Sequence, residues 1–218
     1  MALRILIFGA PGCGKGTISK FVASDFGFVH IAAGDLIRSK IHSGEDAYKE
    51  LKELVDRGQL IPDTKVTQIV RDEVNKFDNA KRSILLDGFP RNITQTKLLD
   101  SFFKTDLVIN IEVPFPVIIQ RLCDRMIHEA SGRIYNLKWN PPKKPGIDDI
   151  TGEPLIRRQD DDADVVKRRL VLYEESLQPV LEHFRRKGLL KSFRGEESKE
   201  IYKVLKPFME NFVKEHIN

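Results

Sequence analysis

The chain has 218 residues, of which 36 are Lys or Arg and 32 are Asp or Glu, so its formal net charge is +4. This length suits one domain, or one core with an inserted lobe, and so mild a basic excess does not imply nucleic-acid binding. Two isolated cysteines exclude a disulfide framework and a Cys-rich zinc site, and with no apolar run of about 18 residues and no signal-like leader we expect a soluble protein without a secretory signal.

The first predicted element is a buried strand that leads into a glycine-rich loop. The apolar run ILIF predicts the strand, and GAPGCGKGT at residues 9–17 follows it. The glycines allow a tight turn that aims successive backbone N–H groups at one point, and a helix beginning near Gly14 adds its positive end. Lys15 adds a charge that can reach outer phosphates. The pattern predicts a phosphate-binding loop, although Gly16 stands where most such loops have Ser or Thr, and the hydroxyl comes at Thr17.

The rest of the chain alternates between apolar strands and amphipathic helices. Further strands are predicted at residues 28–31, 83–86, 107–111 and 189–193. Helices are predicted from Gly34 and over residues 45–57, 63–77, 162–186 and 198–214, with Pro62 and Asp63 as the turn and N-cap of the third. Strands separated by helices predict an α/β fold in which helices flank a five-stranded parallel sheet. Such sheets bind ligands beyond the carboxyl ends of their strands.

The segment from His128 to Asp160 breaks this alternation. It is rich in turn-forming residues and has no helical periodicity. Because a structureless loop of this length is unusual in a compact domain, we expect a small inserted β-rich lid over the phosphate site. The predicted divisions are a core of residues 1–31, 64–126 and 161–218, a helical segment of residues 32–63 and a lid of residues 127–160.

Arginines cluster around the predicted connections. The set comprises Arg38, Arg91, Arg121, Arg125, Arg158 and Arg169. Arginine suits a site that grips several phosphate oxygens at once, because its planar fork binds two of them together. Arg169 lies eleven residues after Arg158, about three helical turns, and would share its face if the helix reached back that far.

Asp87 ends an apolar strand, where P-loop enzymes place a carboxylate that holds Mg²⁺ and its waters. A plain N-cap aspartate is the alternative interpretation. None of the five histidines shows the spacing of a catalytic pair, so no histidine base is expected: His30, His42, His128, His183 and His216. Phosphoryl transfer depends mainly on positioning and charge stabilisation.

Several motifs follow one another over nearly the whole chain. They are GAPGCGKGT, GDLIR, LLDGFPRNITQ, the Arg121–Arg125 pair, SGRIYN, NPPK, IDDITGEPLIRRQDD and KRRL. In content and order they resemble the adenylate kinase family in its long-lid form. The lid sequence GIDDITGEPLI and the C-terminal sequence FRGEESKEI are most similar to the mitochondrial GTP:AMP phosphotransferases of that family.

The resemblance implies a P-loop nucleoside monophosphate kinase that transfers a γ-phosphoryl from Mg²⁺-bound GTP to AMP. It implies a monomer in the mitochondrial matrix, or alternatively the cytoplasm, with no nucleic-acid or membrane partner. The alternatives left open are ATP as donor, a UMP/CMP kinase, and a non-catalytic nucleotide-binding module. Ala33 bears on the acceptor, because most of the family has Ser or Thr there and UMP/CMP kinases have Ala.

The resemblance also assigns roles to individual residues. Donor binding falls to Gly12, Cys13, Gly14, Lys15, Gly16, Thr17, Arg121, Arg125, Ile134, Tyr135 and Ser198. Acceptor binding falls to Ala33, Arg38, Gln59, Leu60, Ile61, Gly88, Phe89, Pro90, Arg91, Gln95, Arg158 and Arg169. The catalytic set is Lys15, Asp87, Arg91, Arg125, Arg158 and Arg169.

The family's lid carries either four zinc-binding cysteines or a hydrogen-bonded substitute. The matching positions in this chain are His128, Ser131, Asp148 and Thr151, the metal-free kind. The resemblance therefore implies no protein ligands for zinc, and Mg²⁺ held through nucleotide phosphates and waters near Asp87.

Overall fold

The computed structural model describes residues 2–43, 45–56, 61–157 and 161–217. The strands are Arg4–Gly9 (β1), Val29–Ala32 (β2), Ile84–Asp87 (β3), Leu107–Glu112 (β4), Arg125–Ile127 (β5), Ile134–Asn136 (β6) and Leu190–Arg194 (β7). The α-helices are Lys15–Phe26 (α1), Ala33–His42 (α2), Lys49–Asp56 (α3), Asp63–Asp78 (α4), Ile93–Leu99 (α5), Phe115–Cys123 (α6), Ala163–Arg186 (α7) and Ser198–Ile217 (α8), and Asp46–Tyr48 forms a 3₁₀ turn.

Five strands form one parallel sheet in the order β2-β3-β1-β4-β7, which confirms the predicted sheet. β1 lies at its centre and is buried on both faces, as expected for a strand between two layers of helices. Its residues alternate between two apolar clusters: Ile5 and Ile7 pack with α1, α6 and α8, and Leu6 and Phe8 pack with α4, α5 and α7. The centre of the sheet therefore positions the loop that follows β1.

Several helices differ from the prediction. The one expected over residues 45–57 is a 3₁₀ turn followed by α3, and the sequence patterns missed α5 and α6 altogether. Both missed helices are short, so hydrophobic periodicity gave little signal. Their capping signals were present: the Asn92 side chain accepts a hydrogen bond from the Gln95 backbone N–H (2.8 Å), and a proline lies in the first turn of α6.

One predicted N-cap is wrong, whereas α7 begins within one residue of its predicted start. Asp63 is not an N-cap: Pro62 holds that position, and the Asp63 carboxylate accepts hydrogen bonds from Asn92 and Gln95 instead. α7 begins at Ala163 after the N-cap Asp162, so it does not reach back to Arg158. Asp162 fixes the start of the helix, because its side chain accepts a hydrogen bond from the Asp164 backbone N–H (3.0 Å) in the first turn.

The lid contains a two-stranded antiparallel sheet of β5 and β6, with single bridges between Ile127 and Ile156 and between Ile147 and Pro154. Its first strand begins at Arg125, two residues before the predicted lid boundary. The division of the chain into core, acceptor and lid segments stays a prediction. Over the described ranges, none of the helices combines the length and apolarity that a membrane span requires.

Candidate phosphate-binding site

The loop between β1 and α1 has the backbone that the glycines predicted. Gly12 and Gly14 adopt φ values of 83° and 86°, which L side chains rarely take. A Cβ atom at Gly14 would collide with the Ser198 hydroxyl, and one at Gly12 would lie 2.6 Å from Leu122. The loop therefore requires glycine at both positions, and it lies directly beside the start of α8.

Side chains of the loop differ in what they can offer a ligand. Cys13 is fully buried, and burial raises the pKa of its thiol, so its side chain is not presented to a ligand. Gly16 and Thr17 lie exposed in the first turn of α1. Lys15 extends across the loop, where its Nζ lies 3.2 Å from Asp87 Oδ1.

Asp87 is buried at the end of β3, with 7% of its surface exposed. Burial by itself would raise the pKa of this carboxyl, but a hydrogen bond from His30 and the charge of Lys15 outweigh burial, so the pKa lies below its usual value. The same pairing raises the pKa of Lys15 against its own burial. Asp87 is not an N-cap, since the next helix begins at Ile93 and Asn92 caps it.

The second oxygen of Asp87 contacts two residues that the sequence did not point to. His30 Nε2 lies 3.2 Å from Oδ2, and the Ser19 hydroxyl donates to the same oxygen at 3.3 Å. No sequence spacing could reveal the His30 contact, because the two residues are 57 apart. They meet because β2 and β3 are neighbours in the sheet.

Arg91 and Arg38 meet above the start of α2. A Cβ atom at Gly34 would lie 3.4 Å from a guanidinium nitrogen of each, so the lack of a side chain there leaves room for both. The Arg91 Nε donates to the Gly88 carbonyl (2.9 Å), which aims its fork. Partial desolvation and then the charge of Arg38 lower the pKa of Arg91, while Asp87 raises it.

Arg125 and Arg169 meet at Asp161. Arg125 donates two hydrogen bonds to its carboxylate (2.8 and 2.5 Å), and Arg169 lies 4.0 Å from the same group. Asp161 is buried and was assigned no role from the sequence, although it belongs to the RRQDD stretch. Arg158, which was expected to join these arginines, lies outside the described residues.

Arg121 lies between the lid and α8. Its guanidinium carbon is 4.7 Å from the centre of the Trp139 ring, and it donates to the Glu196 carbonyl. Its own carbonyl accepts a hydrogen bond from Asn136 in β6 (2.8 Å). These contacts bring Arg121 to the same side of the loop as Ser198.

The residues assigned to the acceptor differ in how far they are buried. Phe89, Pro90 and Ala33 are buried, Ala33 with 1% exposed, so their side chains belong to the core. The Gln95 amide is held at both ends: its oxygen accepts from the Arg91 backbone N–H (2.8 Å) and its nitrogen donates to Asp63 (2.6 Å). Ile61 is partly exposed, and Gln59 and Leu60 lie outside the described residues.

The four lid positions predicted to replace zinc ligands are hydrogen-bonded to one another. His128 contacts the hydroxyls of Ser131 (2.6 Å) and Thr151 (3.3 Å), and Thr151 donates to Asp148 (2.9 Å). Arg133 donates two hydrogen bonds to Asp148 and holds the pKa of that carboxyl far below its usual range. Within the described parts of the chain, no group of three or more His, Cys, Asp or Glu side chains has the arrangement of a metal site.

The two lid residues assigned to the donor point in different directions. The Tyr135 side chain is buried inside the lid, where its hydroxyl donates to Asp148 (2.9 Å). Ile134 has 52% of its surface exposed. Only Ile134 therefore presents its side chain outward.

The site combines a phosphate loop after the central strand, a carboxylate at the end of the neighbouring strand and converging arginines. Together with the fold, these features define a P-loop α/β protein that binds and transfers phosphoryl groups. The family model described as adenylate kinase matches residues 7–189, so the chain belongs to the adenylate kinase family.

Individual relatives match over nearly the full chain. The chain is 44% identical over 215 residues to the mitochondrial GTP:AMP phosphotransferase of Drosophila melanogaster, covering 99% of this chain and 97% of that protein. It is 40% identical over 213 residues to the adenylate kinase of Caldicellulosiruptor saccharolyticus, covering 93% of this chain and 99% of that protein.

Proposed function

We propose that this protein is a nucleoside monophosphate kinase that transfers the γ-phosphoryl group of GTP to AMP, giving GDP and ADP. The observation that carries the proposal is the convergence of arginines from four elements on a P-loop whose Lys15 lies 3.2 Å from Asp87. The transferring phosphoryl spreads its charge over three oxygens, and fixed cations stabilise that charge without rearranging.

The donor phosphates bind at the loop, where backbone N–H groups and Lys15 face them. Arg38 and Arg91 hold the acceptor phosphate, because both guanidinium groups lie above Gly34. Arg125 and Arg169, joined through Asp161, lie between the two nucleotides. Arg158 belongs with this group by family resemblance.

Mg²⁺ enters with the nucleotide. Asp87 fits it, because this carboxylate is ionised and is fixed at the end of β3 by Lys15, His30 and Ser19. A carboxylate in that position holds the waters of a hard cation, and the cation neutralises phosphate charge. Most such loops have a Ser or Thr hydroxyl where this chain has Gly16, and the nearest hydroxyl in the sequence is that of Thr17.

Transfer to AMP rather than to water requires that water be excluded. The lid carries its own hydrogen-bonded core around Asp148, so we infer that it closes as a unit over the donor. Closure places the acceptor phosphate against the γ-phosphoryl group in the absence of competing water.

GTP is the proposed donor because the relative from Drosophila melanogaster carries GTP and AMP in its name. ATP is the second candidate, because the relative from Caldicellulosiruptor saccharolyticus is an adenylate kinase at 40% identity. The first relative is also named mitochondrial, which supports a mitochondrial location for this protein.

The test is a competition between donors. Purified protein is supplied with AMP and equal concentrations of GTP and ATP, and the nucleotides are separated by chromatography. Each transfer from GTP gives one GDP and one ADP, and each transfer from ATP gives two ADP, so GDP measures transfer from GTP and half of the ADP in excess of GDP measures transfer from ATP. We expect kcat/KM for GTP to exceed that for ATP. A higher value for ATP would assign adenylate kinase activity instead, and no transfer from either donor would leave a nucleotide-binding module.

A further inference from the structure

Trp139 is a lid residue whose ring covers an arginine of the core. The guanidinium carbon of Arg121, on α6, lies over this ring at 4.7 Å from its centre. On its other contact the same group donates a hydrogen bond to the Glu196 carbonyl. Its Nε is buried and has no hydrogen-bond partner in the part of the chain that the structure describes. The indole ring and the Glu196 carbonyl therefore fix the orientation of this guanidinium.

The aromatic face of Trp139 is the part of the side chain that has a partner. Its indole N–H is buried and has no acceptor among the described residues, although buried indole N–H groups usually find one. Desolvation lowers the pKa of Arg121, and a cation is attracted to an aromatic face more strongly where water is partly removed. The contact with Arg121 therefore explains the ring, and the polar end of the indole does not.

The strand order places this stacked pair on one side of the phosphate loop. Asp87 ends β3, on one side of β1, whereas β4 and β7, which lead into α6 and α8, lie on the other. Arg121 Nη1 lies 3.9 Å from the position that a Cβ atom would take at Gly14. If the γ-phosphoryl group of the donor points toward Asp87 and Arg91, its nucleoside extends toward Arg121.

We propose that Trp139 is a positioning residue for the donor base: its ring covers one side of the Arg121 guanidinium and turns the other side toward the base. The contact is formed within the protein, so binding does not have to order a long side chain. Stacking of a base on an arginine is tolerant of base identity, so this pair strengthens binding of GTP and ATP alike. The inference rests on the proposed function, because it takes residues 9–17 as the donor phosphate site.

The test compares Trp139→Leu, which removes the aromatic face, with Trp139→Phe, which keeps one. Lys138→Met is the matched control, because the Lys138 ammonium lies over the same ring, 5.2 Å from its centre, and its removal leaves Arg121 covered. Calorimetry measures the affinity of each variant for the magnesium complexes of GTP, ATP and tripolyphosphate. Tripolyphosphate has no base, so it reports on the phosphate loop alone.

For Trp139→Leu we expect the affinity for GTP and ATP to fall about three- to tenfold, the range for one partly buried cation–π contact. We expect unchanged affinity for tripolyphosphate. In steady-state assays the KM for the donor should rise while kcat and the KM for AMP stay near their wild-type values. Trp139→Phe should restore most of the nucleotide affinity, and Lys138→Met should bind all three probes as the wild-type protein does.

A double mutant separates positioning from direct contact with the base. We expect Trp139→Leu to cause no further loss of nucleotide affinity in an Arg121→Met background, because its effect passes through the guanidinium. A further loss there would overturn the inference, since Trp139 would then act by a contact of its own.

Two other results would also overturn the inference and leave the proposed function standing. One is wild-type nucleotide affinity in Trp139→Leu, and the other is an equal loss for tripolyphosphate, which would show a general effect on the lid. Failure of the wild-type protein to bind any of the three probes would instead remove the phosphate site of the proposed function, and the inference with it.

Discussion

At the scale of single residues, Arg91 bears most directly on the proposed reaction. Its guanidinium is aimed by the Gly88 carbonyl and lies within the electrostatic reach of Asp87 and Arg169. We expect Arg91→Ala to reduce kcat by on the order of a thousandfold, the scale of an arginine that stabilises a transferring phosphoryl group. A coupled assay for diphosphate formation measures this.

The control for that variant is Arg186→Ala, an exposed arginine in the last turn of α7. Both variants should unfold at the temperature of the wild-type protein. If Arg91→Ala retained more than about a tenth of the wild-type rate, this residue would not have the assigned role.

Asp87 makes the free energy of unfolding depend on pH in the acidic range. Its pKa in the folded protein is below the unfolded value of 3.8, so the ionised carboxylate stabilises the fold fully above that pH. The contribution is lost as the pH falls below 3.8 and through the folded pKa. We expect the stability difference between wild-type protein and Asp87→Asn to be largest near neutral pH and to shrink below about pH 4.

Urea unfolding at a series of pH values measures this difference. Asp72→Asn is the control, because Asp72 is an exposed carboxylate whose contact is with Gln68 on its own helix. A difference for Asp87→Asn that stayed constant from pH 3 to pH 7 would show that the lost charge is not the cause.

At the scale of elements, the lid depends on Asp148. This buried carboxylate accepts hydrogen bonds from Arg133, Tyr135 and Thr151, whereas its neighbour Asp149 accepts one from the Lys143 backbone. We expect Asp148→Ala to raise the rate of tryptic cleavage within the lid about tenfold, because a larger fraction of molecules has a locally unfolded lid at any time. Asp149→Ala is the matched control and should cleave at nearly the wild-type rate.

Zinc should have no part in holding the lid. Both cysteines, Cys13 and Cys123, lie outside it, so neither a Cys₄ nor a Cys₃His site can form there. We expect elemental analysis of purified protein to find no stoichiometric zinc, and chelator to leave the unfolding temperature unchanged. Bound zinc together with a lower unfolding temperature after chelation would contradict this expectation.

At the scale of the whole molecule, the preference for one acceptor nucleotide depends on residues of both the helical segment and the core. AMP should remain the preferred acceptor despite Ala33, because Gln95 keeps donor and acceptor capacity beyond its contacts with Arg91 and Asp63. The long lid also favours AMP, since UMP/CMP kinases as a family have a short one.

Steady-state kinetics with AMP, GMP, UMP and CMP under one donor measure this preference. A kcat/KM for UMP or CMP above that for AMP would reverse the assignment. Because Ala33 is buried, Ala33→Ser is the mildest way to add a hydroxyl there, and we expect it to leave the preferred base unchanged.

The sequence by itself determined the phosphate loop and the five-stranded parallel sheet, and it predicted the arginines of the proposed site. These features are local: a glycine pattern after an apolar run, apolar segments of strand length, and charged residues where strands end. The short helices α5 and α6 were not predicted, because seven to nine residues carry little hydrophobic periodicity.

Only the tertiary structure decided which charges meet. His30 reaches Asp87 across 57 residues and Asp161 reaches Arg125 across 36, because neighbours in a parallel sheet and across the lid are remote in sequence. Local patterns specify which groups a chain carries, and the order of strands in the sheet specifies their partners, because that order brings distant residues to one edge.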